Sequence, residues 1–236
     1  MEHVAGDPTH HDARQLREAR STPARPRIAP AQVIPARIGL TRGQALPKRA
    51  FDLVVAASGL VLLSWLIAGV LVAASIDTRT FGLFRQERVG RRGKVFRIVK
   101  IRSMRIDNSI TTSVTTTRDP RITRLGRFWR RTKLDELPQL WNVLRGEMSL
   151  VGPRPEVPGF ADLLTGSDAL VLSVRPGITG PATLHFRNEE QLLAAAEDPE
   201  AYNRDVLFPT KVRMNLEYIQ GYSFRKDLGY LWRTFR

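Results

Sequence analysis

The chain has 236 residues, with 37 lysines and arginines against 23 aspartates and glutamates, a formal net charge of +14 and no cysteine. The lack of cysteine excludes disulfide bonds and thiolate metal sites, and it is typical of a cytoplasmic protein. A charge this positive predicts a polyanionic partner, which would be nucleic acid, an anionic membrane surface or a phosphorylated substrate.

The first 47 residues contain six prolines and seven arginines with little apolar periodicity. This composition predicts a disordered, basic, proline-rich tail over residues 1–47. The arginines would either touch anionic lipid headgroups or serve only to keep the chain soluble.

A wholly uncharged segment follows at residues 53–76. As a helix it would be roughly 36 Å long, enough to cross a bilayer. It is too long, and begins too far along the chain, for a signal peptide. We therefore predict a membrane-inserted helix over residues 48–78, with a buried core helix as the soluble alternative.

Both flanks of this segment are positive. Residues 1–49 carry nine basic and four acidic side chains, and residues 79–105 carry ten and one. The positive-inside tendency would keep both flanks in the cytoplasm, which favours a re-entrant helix over a simple crossing. A re-entrant helix needs a break, and Gly59, Ser64 and Gly69 are the candidate positions.

Residues 84–102 alternate in the manner of β-strands around the turn sequence GRRGK at 90–94. This pattern predicts a short β-hairpin. Lys100 and Arg102 would project from one face near its end. A solvated basic edge that discourages strand pairing is the simpler explanation of these two residues.

Basic residues then recur at every third position, and apolar residues occupy another face; the basic positions are 118, 121, 124, 127 and 130. The spacing predicts a basic amphipathic element that would lie on a membrane, bind nucleic acid or line a phosphate pocket. No recognisable nucleic-acid-binding motif accompanies it.

The stretch 133–155, KLDELPQLWNVLRGEMSLVGPRP, contains adjacent carboxylates at Asp135 and Glu136. Apolar residues follow at helical spacing. Because proline is tolerated only in a first helical turn, Pro138 predicts that the helix begins near Asp135, and Gly146 is a reasonable stop. The closing GPRP places Arg154 on a stiff backbone.

A carboxylate pair at a helix start is most simply a cap. Here, however, residues 118–133 carry seven basic side chains and one acid. Two carboxylates facing that much positive charge indicate a site for a divalent metal and a phosphorylated substrate.

The last third of the chain predicts a second rigid loop at 174–181 and helices over 188–197 and 209–220. The final segment, SFRKDLGYLWRTFR, has an aromatic face flanked by basic residues, which suits a membrane interface or packing on the core. The predicted fold is mixed α/β and mostly helical, with a short β-hairpin, a membrane-inserted helix and interfacial amphipathic helices. The predicted catalytic domain covers residues 79–236.

Five blocks of this sequence closely resemble the bacterial sugar transferase family, the monotopic phosphoglycosyl transferases. They are FRQERVG (84–90), KVFRIVKIRSM (94–104), RDPRITRLGRF (118–128), the stretch 133–155 and VRPGITG (174–180). The resemblance extends from about Lys48 to Phe235 and leaves the tail unexplained.

The resemblance implies transfer of a sugar 1-phosphate from a UDP-sugar to polyprenyl (undecaprenyl) phosphate, with release of UMP. Such a step initiates exopolysaccharide, capsule, O-antigen or glycoprotein glycan assembly. Asp135 would attack the β-phosphorus and carry the phosphosugar, and Glu136 would help to bind Mg²⁺. Phosphates or nucleotide would be held by five cations, namely Lys100, Arg102, Arg130, Arg154 and Arg187.

The resemblance also implies the cytoplasmic face of a bacterial inner membrane, with downstream glycosyltransferases as further partners. The family has a Ser-Pro pair at its re-entrant bend; Ser64 matches the serine, but Trp65 replaces the proline. That departure leaves open a degenerate family member that only binds lipid or a partner. A nucleic-acid-binding protein is the other alternative, and the uncharged segment argues against it.

Overall fold

The computed structural model describes residues 39–107, 109, 110, 112, 114–234 and 236, so most of the predicted tail lies outside the described residues. The described chain is mostly helical with a short antiparallel strand pair, as predicted. Its helices and strands, in order, are α1 (Arg42–Thr78), β1 (Leu83–Val89), β2 (Val95–Ile101), α2 (Arg124–Thr132), α3 (Gln139–Leu144), β3 (Ser149–Val151), β4 (Gly177–Thr179), α4 (Pro181–His185), α5 (Glu189–Ala195), α6 (Pro199–Tyr202), α7 (Phe208–Gln220) and α8 (Phe224–Thr234).

Helix α1 begins at Arg42, before the predicted start of the membrane-inserted segment at residue 48. The Gln44 side chain accepts a hydrogen bond from the Thr41 N–H at 3.0 Å, which satisfies a backbone donor ahead of the first turn. This local cap extends the helix back into residues that composition alone assigned to the tail.

Every residue of α1 is helical, so the predicted break at Gly59, Ser64 or Gly69 is not found. The Ser64 hydroxyl instead donates to the Val61 carbonyl within the helix, at 2.9 Å. The physical reason is that the apolar part of α1 contains no proline, and so no residue there removes a backbone donor.

Helix α1 is long and apolar enough to cross a membrane, with an 18-residue window of mean hydropathy 2.4 that is only 11% buried. Val61, Leu62, Trp65 and Ile76 are each at least 70% exposed. This exposure differs from that of the core helix of a soluble protein, whose side chains are mostly buried.

The N-terminal end of α1 is held against the rest of the described chain by buried polar contacts. Lys48 Nζ donates to Asp227 on α8 at 2.6 Å. Asp52 accepts from the Ser149 hydroxyl at 2.8 Å and from the Leu150 N–H at 3.1 Å, which fixes strand β3.

The C-terminal end of α1 packs on the same domain. Val70 and Ala74 form a buried cluster with Ile101 of β2 and Trp129 of α2. Both ends of the helix are therefore held by one folded unit, and an apolar side of the helix is left exposed.

Strands β1 and β2 form the predicted hairpin, with Arg85 opposite Val99. The free edge of β2 is occupied by the side chain of Asn142 from α3. This amide accepts from the Val99 N–H at 3.0 Å and donates to the Arg97 carbonyl at 2.8 Å. It replaces a third strand, and so it fixes the hairpin relative to the helix that follows the carboxylates.

Strands β3 and β4 pair in parallel and bring the two proline-flanked loops together. A Cβ atom on Gly177 would lie 2.1 Å from the Gly152 backbone nitrogen, so only glycine permits this approach. The contact anchors the loop that carries Arg154.

The basic amphipathic element is helical only from Arg124, because the Thr123 hydroxyl accepts from the Gly126 N–H at 2.8 Å and caps α2 there. Leu125 and Phe128 remain exposed on this helix. On α8, Trp232 and Leu228 are likewise exposed, whereas other aromatic residues of that helix pack inward. Both helices combine exposed apolar and basic side chains, as interfacial helices do.

Candidate active site

The adjacent carboxylates lie in a single 3₁₀ turn, Leu134–Glu136, between α2 and α3. Helix α3 starts only at Gln139, so the predicted helix start at Asp135 is wrong. Lys133 has a φ of 59°, which ends α2 and reverses the chain. The Glu136 N–H bonds to the Lys133 carbonyl at 3.1 Å, the three-residue spacing of a 3₁₀ turn.

Asp135 and Glu136 are both 7% exposed, and their surroundings differ. Glu136 Oε1 accepts from Arg154 Nη2 at 2.9 Å. Asp135 Oδ1 is buried and has no hydrogen-bond partner among the residues that the structure describes. A buried carboxylate oxygen without a donor is costly, and it is a natural position for a cation or a reacting atom.

The same contrast separates the pKa values of the two carboxyls. Burial, and then the neighbouring Glu136 charge, raises the pKa of Asp135 to about 6. Burial alone would also raise the pKa of Glu136, but Arg154 above all, with Lys133 and Lys100, lowers it to about 2. Glu136 is thus a permanent anion, whereas Asp135 titrates close to neutral pH.

Lys100 reaches this site from β2, where it follows the buried Phe96 and Ile98 on one strand face. Burial, and then the charge of Arg154, lowers the pKa of the Lys100 ammonium to about 7. The carboxylates oppose this shift. Lys100 is therefore a cation whose charge depends on pH and on anions brought into the site.

Arg154 sits on the loop that follows β3, and its partner Glu136 raises its pKa above the ordinary value. Arg88 on β1 lies beside it. Burial, and then Arg154, lowers the pKa of Arg88 to about 10. Its Nε atom is buried without a partner in the described part of the chain. Sequence reasoning missed Arg88, although it falls in the FRQERVG block.

Arg130 on α2 also belongs to the site, because its charge lowers the pKa of Asp135. It donates to Glu190 of α5, and the adjacent Glu189 accepts from Lys211 at 2.6 Å. Sequence reasoning missed both glutamates and Lys211. Two glutamates in the first turn of a helix are so common that they gave no reason to predict a site there.

The structure does not bring Arg102 or Arg187 to the carboxylates. Arg102 directly follows strand β2, and its side chain donates to the Phe81 carbonyl at 3.0 Å and lies over the Phe84 ring. Arg187 donates to the Arg233 carbonyl near the end of α8. Both residues were predicted to bind phosphate or nucleotide, but their side chains lie outside this cluster.

No group of three or more metal-ligating side chains occurs in the described residues. Magnesium is commonly held by one or two carboxylates together with substrate phosphates and water. Asp135 and Glu136, with one carboxylate oxygen left without a donor, fit that requirement.

The sequence profile of the family described as bacterial sugar transferase matches residues 43–236. This chain belongs to that family. Among its sugar transferase relatives, "Undecaprenyl-phosphate glucose phosphotransferase" of Komagataeibacter xylinus is 39% identical over 205 residues, which cover 84% of this chain and 36% of that protein. "UDP-galactose-lipid carrier transferase" of Erwinia amylovora is 35% identical, with coverage of 79% and 39%.

The chain thus spans little more than a third of the length of these two relatives. A shorter relative, "Exopolysaccharide production protein ExoY" of Rhizobium meliloti (strain 1021), is 31% identical over 205 residues, which cover 80% of this chain and 84% of that protein.

The sugar transferase signature has a physical meaning in this fold. Its DE pair forms the buried carboxylate turn, its asparagine is Asn142 at the edge of the hairpin, and its GPRP arginine is Arg154 on Glu136. These four residues of the signature therefore belong to one assembly, in which Asn142 positions the hairpin and Arg154 holds Glu136.

Proposed function

We propose that this transferase moves a sugar 1-phosphate from a UDP-sugar to polyprenyl (undecaprenyl) phosphate and releases UMP. The observation that carries the proposal is the Asp135 carboxylate, buried with an oxygen that has no donor in the described chain. Around it stand a fixed anion, Glu136, and the cations Lys100, Arg130 and Arg154. This is an arrangement suited to phosphoryl transfer.

In the first step, an Asp135 oxygen forms a bond to the donor's β-phosphorus, and the bond from that phosphorus to the bridging oxygen of UMP breaks. UMP leaves with the electron pair. In the second step, a phosphate oxygen of the lipid attacks the same phosphorus and Asp135 leaves as a carboxylate. With a pKa of about 6, Asp135 is mostly ionised at neutral pH and needs no separate base.

Lys100, Arg88 and Arg154 would neutralise the phosphate oxygens of the donor in a site that excludes water. Mg²⁺ would be held by Glu136 together with Asp135, and when bound it would offset the charge between the carboxylate and the diphosphate. The depressed pKa of Glu136 keeps that ligand ionised.

The relatives support the acceptor, since one is named for undecaprenyl phosphate and another for a lipid carrier. One is named for glucose and the other for galactose, so membership in the family leaves the donor sugar open. The ExoY relatives are named for exopolysaccharide production, which favours a role in exopolysaccharide synthesis. The intact carboxylate turn and Arg154 argue against a degenerate binding protein.

The direct test is UMP release by purified protein in nanodiscs supplied with undecaprenyl phosphate, Mg²⁺ and a panel of UDP-sugars. We expect multiple turnovers of UMP release with one sugar, dependent on lipid and abolished by EDTA, and at most one UMP per chain without the lipid. Release that continues without the lipid would indicate hydrolysis, and no release with any sugar would favour the degenerate alternative.

We also propose that α1 is a shallow insertion on the cytoplasmic side of the inner membrane. Lys48 and Ala74 lie near opposite ends of α1, and both contact the one catalytic domain. A helix that crossed the bilayer would separate its two ends by the hydrocarbon thickness. Exposed Val61, Leu62 and Trp65 at the centre would instead enter the lipid.

Because the chain contains no cysteine, single cysteines can report this topology. We expect Ser21→Cys in the tail and Lys94→Cys in the hairpin turn both to resist a membrane-impermeant maleimide in spheroplasts. Both should react after permeabilisation. Labelling of Ser21→Cys alone in intact spheroplasts would show that α1 spans the membrane.

A further inference from the structure

A cavity of about 500 Å³ lies beneath the centre of α1. Leu60 and Ile67 of the helix form its roof, and its floor is made by the outer face of the hairpin and by α3. The catalytic Lys100 belongs to the opposite face of the hairpin, with the buried Phe96 and Ile98. The cavity is therefore separate from the carboxylate site.

The inner wall of the cavity is apolar. Besides the two helix residues, it includes Leu83 and Val99 of the hairpin and Trp141 of α3, whose side chain is 50% exposed. A large indole half-exposed under a lipid-facing helix suits contact with an acyl chain at the level of the headgroups.

The rim of the cavity is cationic, with three arginines and one glutamate among its lining residues. Arg145 pairs with Glu147 at 3.3 Å, and Arg97 pairs weakly with Glu87 at 3.7 Å. Arg85 has no hydrogen-bond or ion-pair partner in the described part of the chain. One guanidinium is thus available to a phosphate, and two more stand nearby.

We propose that this cavity binds one anionic phospholipid of the surrounding membrane, with its phosphate at Arg85 and Arg145 and its acyl chain under α1. A soluble phosphate ester would pair with the arginines but leave the apolar wall uncovered. A neutral lipid would cover the apolar wall but leave the arginines of the rim without an anionic partner. The bound lipid would complete the packing of α1 on the hairpin.

This inference rests on the proposed insertion of α1 but not on the transfer reaction. Its test therefore measures bound lipid rather than turnover. Purified protein in mild detergent would be offered phosphatidylglycerol, phosphatidylcholine, or glycerol 3-phosphate at the same concentration, and retention would be measured by native mass spectrometry.

We expect one phosphatidylglycerol per chain, retained over phosphatidylcholine and not displaced by glycerol 3-phosphate. The double variant Arg85→Gln/Arg145→Gln should lower retention roughly tenfold or more, since each surface arginine is worth about 1 kcal/mol toward an anionic lipid. Ile67→Trp should also lower it by filling the cavity while leaving all arginines in place.

Arg213→Gln, which removes an exposed arginine from α7, is the matched control and should retain the lipid. An unchanged circular dichroism spectrum in each variant would show that the chain is folded. Lipid retention that survives both the arginine and the Ile67 substitutions would overturn the proposal. Displacement of phosphatidylglycerol by an equal concentration of glycerol 3-phosphate would also overturn it, because the site would then bind the phosphate without the acyl chain.

Discussion

Asp135→Asn is expected to lower UMP release by roughly 10³-fold or more, because the amide cannot form or release an aspartyl-phosphosugar. Membrane association should be unchanged, since the substitution leaves α1 and its contacts intact. The measurement is turnover in nanodiscs, made in a preparation free of wild-type enzyme. Appreciable residual turnover there would remove Asp135 from the role of nucleophile.

The same substitution should have the opposite effect on stability. The pKa of Asp135 rises from 3.8 to about 6 on folding, so the proton is bound more tightly in the folded state. The proton on Asp135 stabilises the folded state fully below pH 3.8, and this stabilisation is lost as the pH rises through about 6. At neutral pH the ionised carboxylate therefore costs the fold up to about 3 kcal/mol.

Asn cannot ionise, so the melting temperature of Asp135→Asn relative to wild type should increase by several degrees between pH 4.5 and pH 7.5. Thermal unfolding in detergent at the two pH values tests this. Asp168→Asn, at an exposed aspartate, is the matched control and should change neither turnover nor the pH trend. A difference independent of pH would contradict the raised pKa.

Arg154→Met is expected to destabilise the protein by about 3 kcal/mol as well as to abolish turnover. The substitution leaves the buried Glu136 carboxylate without its guanidinium partner. A buried charge without a partner strongly destabilises the folded state. The expected loss is at the low end of the usual range because the Arg154 side chain is 33% exposed. Arg213→Met is the control for loss of an arginine.

A double variant separates stability from chemistry. Arg154→Met/Glu136→Gln removes both charges, so most of the lost stability should return while turnover remains absent. The Arg154→Met defect should also shrink as the pH falls, because loss of Arg154 removes the main cause that lowers the pKa of Glu136 and lets this buried carboxyl take up a proton. A double variant as unstable as Arg154→Met would show that the arginine acts by packing rather than by pairing with Glu136.

Much of the fold follows from local pattern. Alternation around GRRGK predicted the hairpin, and helical spacing predicted α5 and α7 to within a few residues. These elements depend on nearest neighbours along the chain, so their signals survive in a single sequence. The run of uncharged residues likewise predicted a long apolar helix, because apolar length is itself the physical requirement for insertion in a membrane.

The site was predicted less completely, for a physical reason. Asp135, Glu136 and Arg154 were predicted because their motif is compact, and the fold brings them together. Arg102 was predicted with them, but its side chain donates to the Phe81 carbonyl and lies over the Phe84 ring. Glu190 was missed because its contact with Arg130 joins residues sixty positions apart, and no spacing rule reports such a pair.

The sequence by itself determined the kind of protein this is: a basic, cysteine-free chain with a long apolar helix, a carboxylate pair and an arginine between two prolines. Only the tertiary structure decided how these parts act together. It holds both ends of α1 on one domain, and it buries Asp135 beside a permanently charged Glu136. It also forms a cavity between α1, the hairpin and α3. Each of these features arises from burial and from charges distant in sequence, and such effects exist only once the chain has folded.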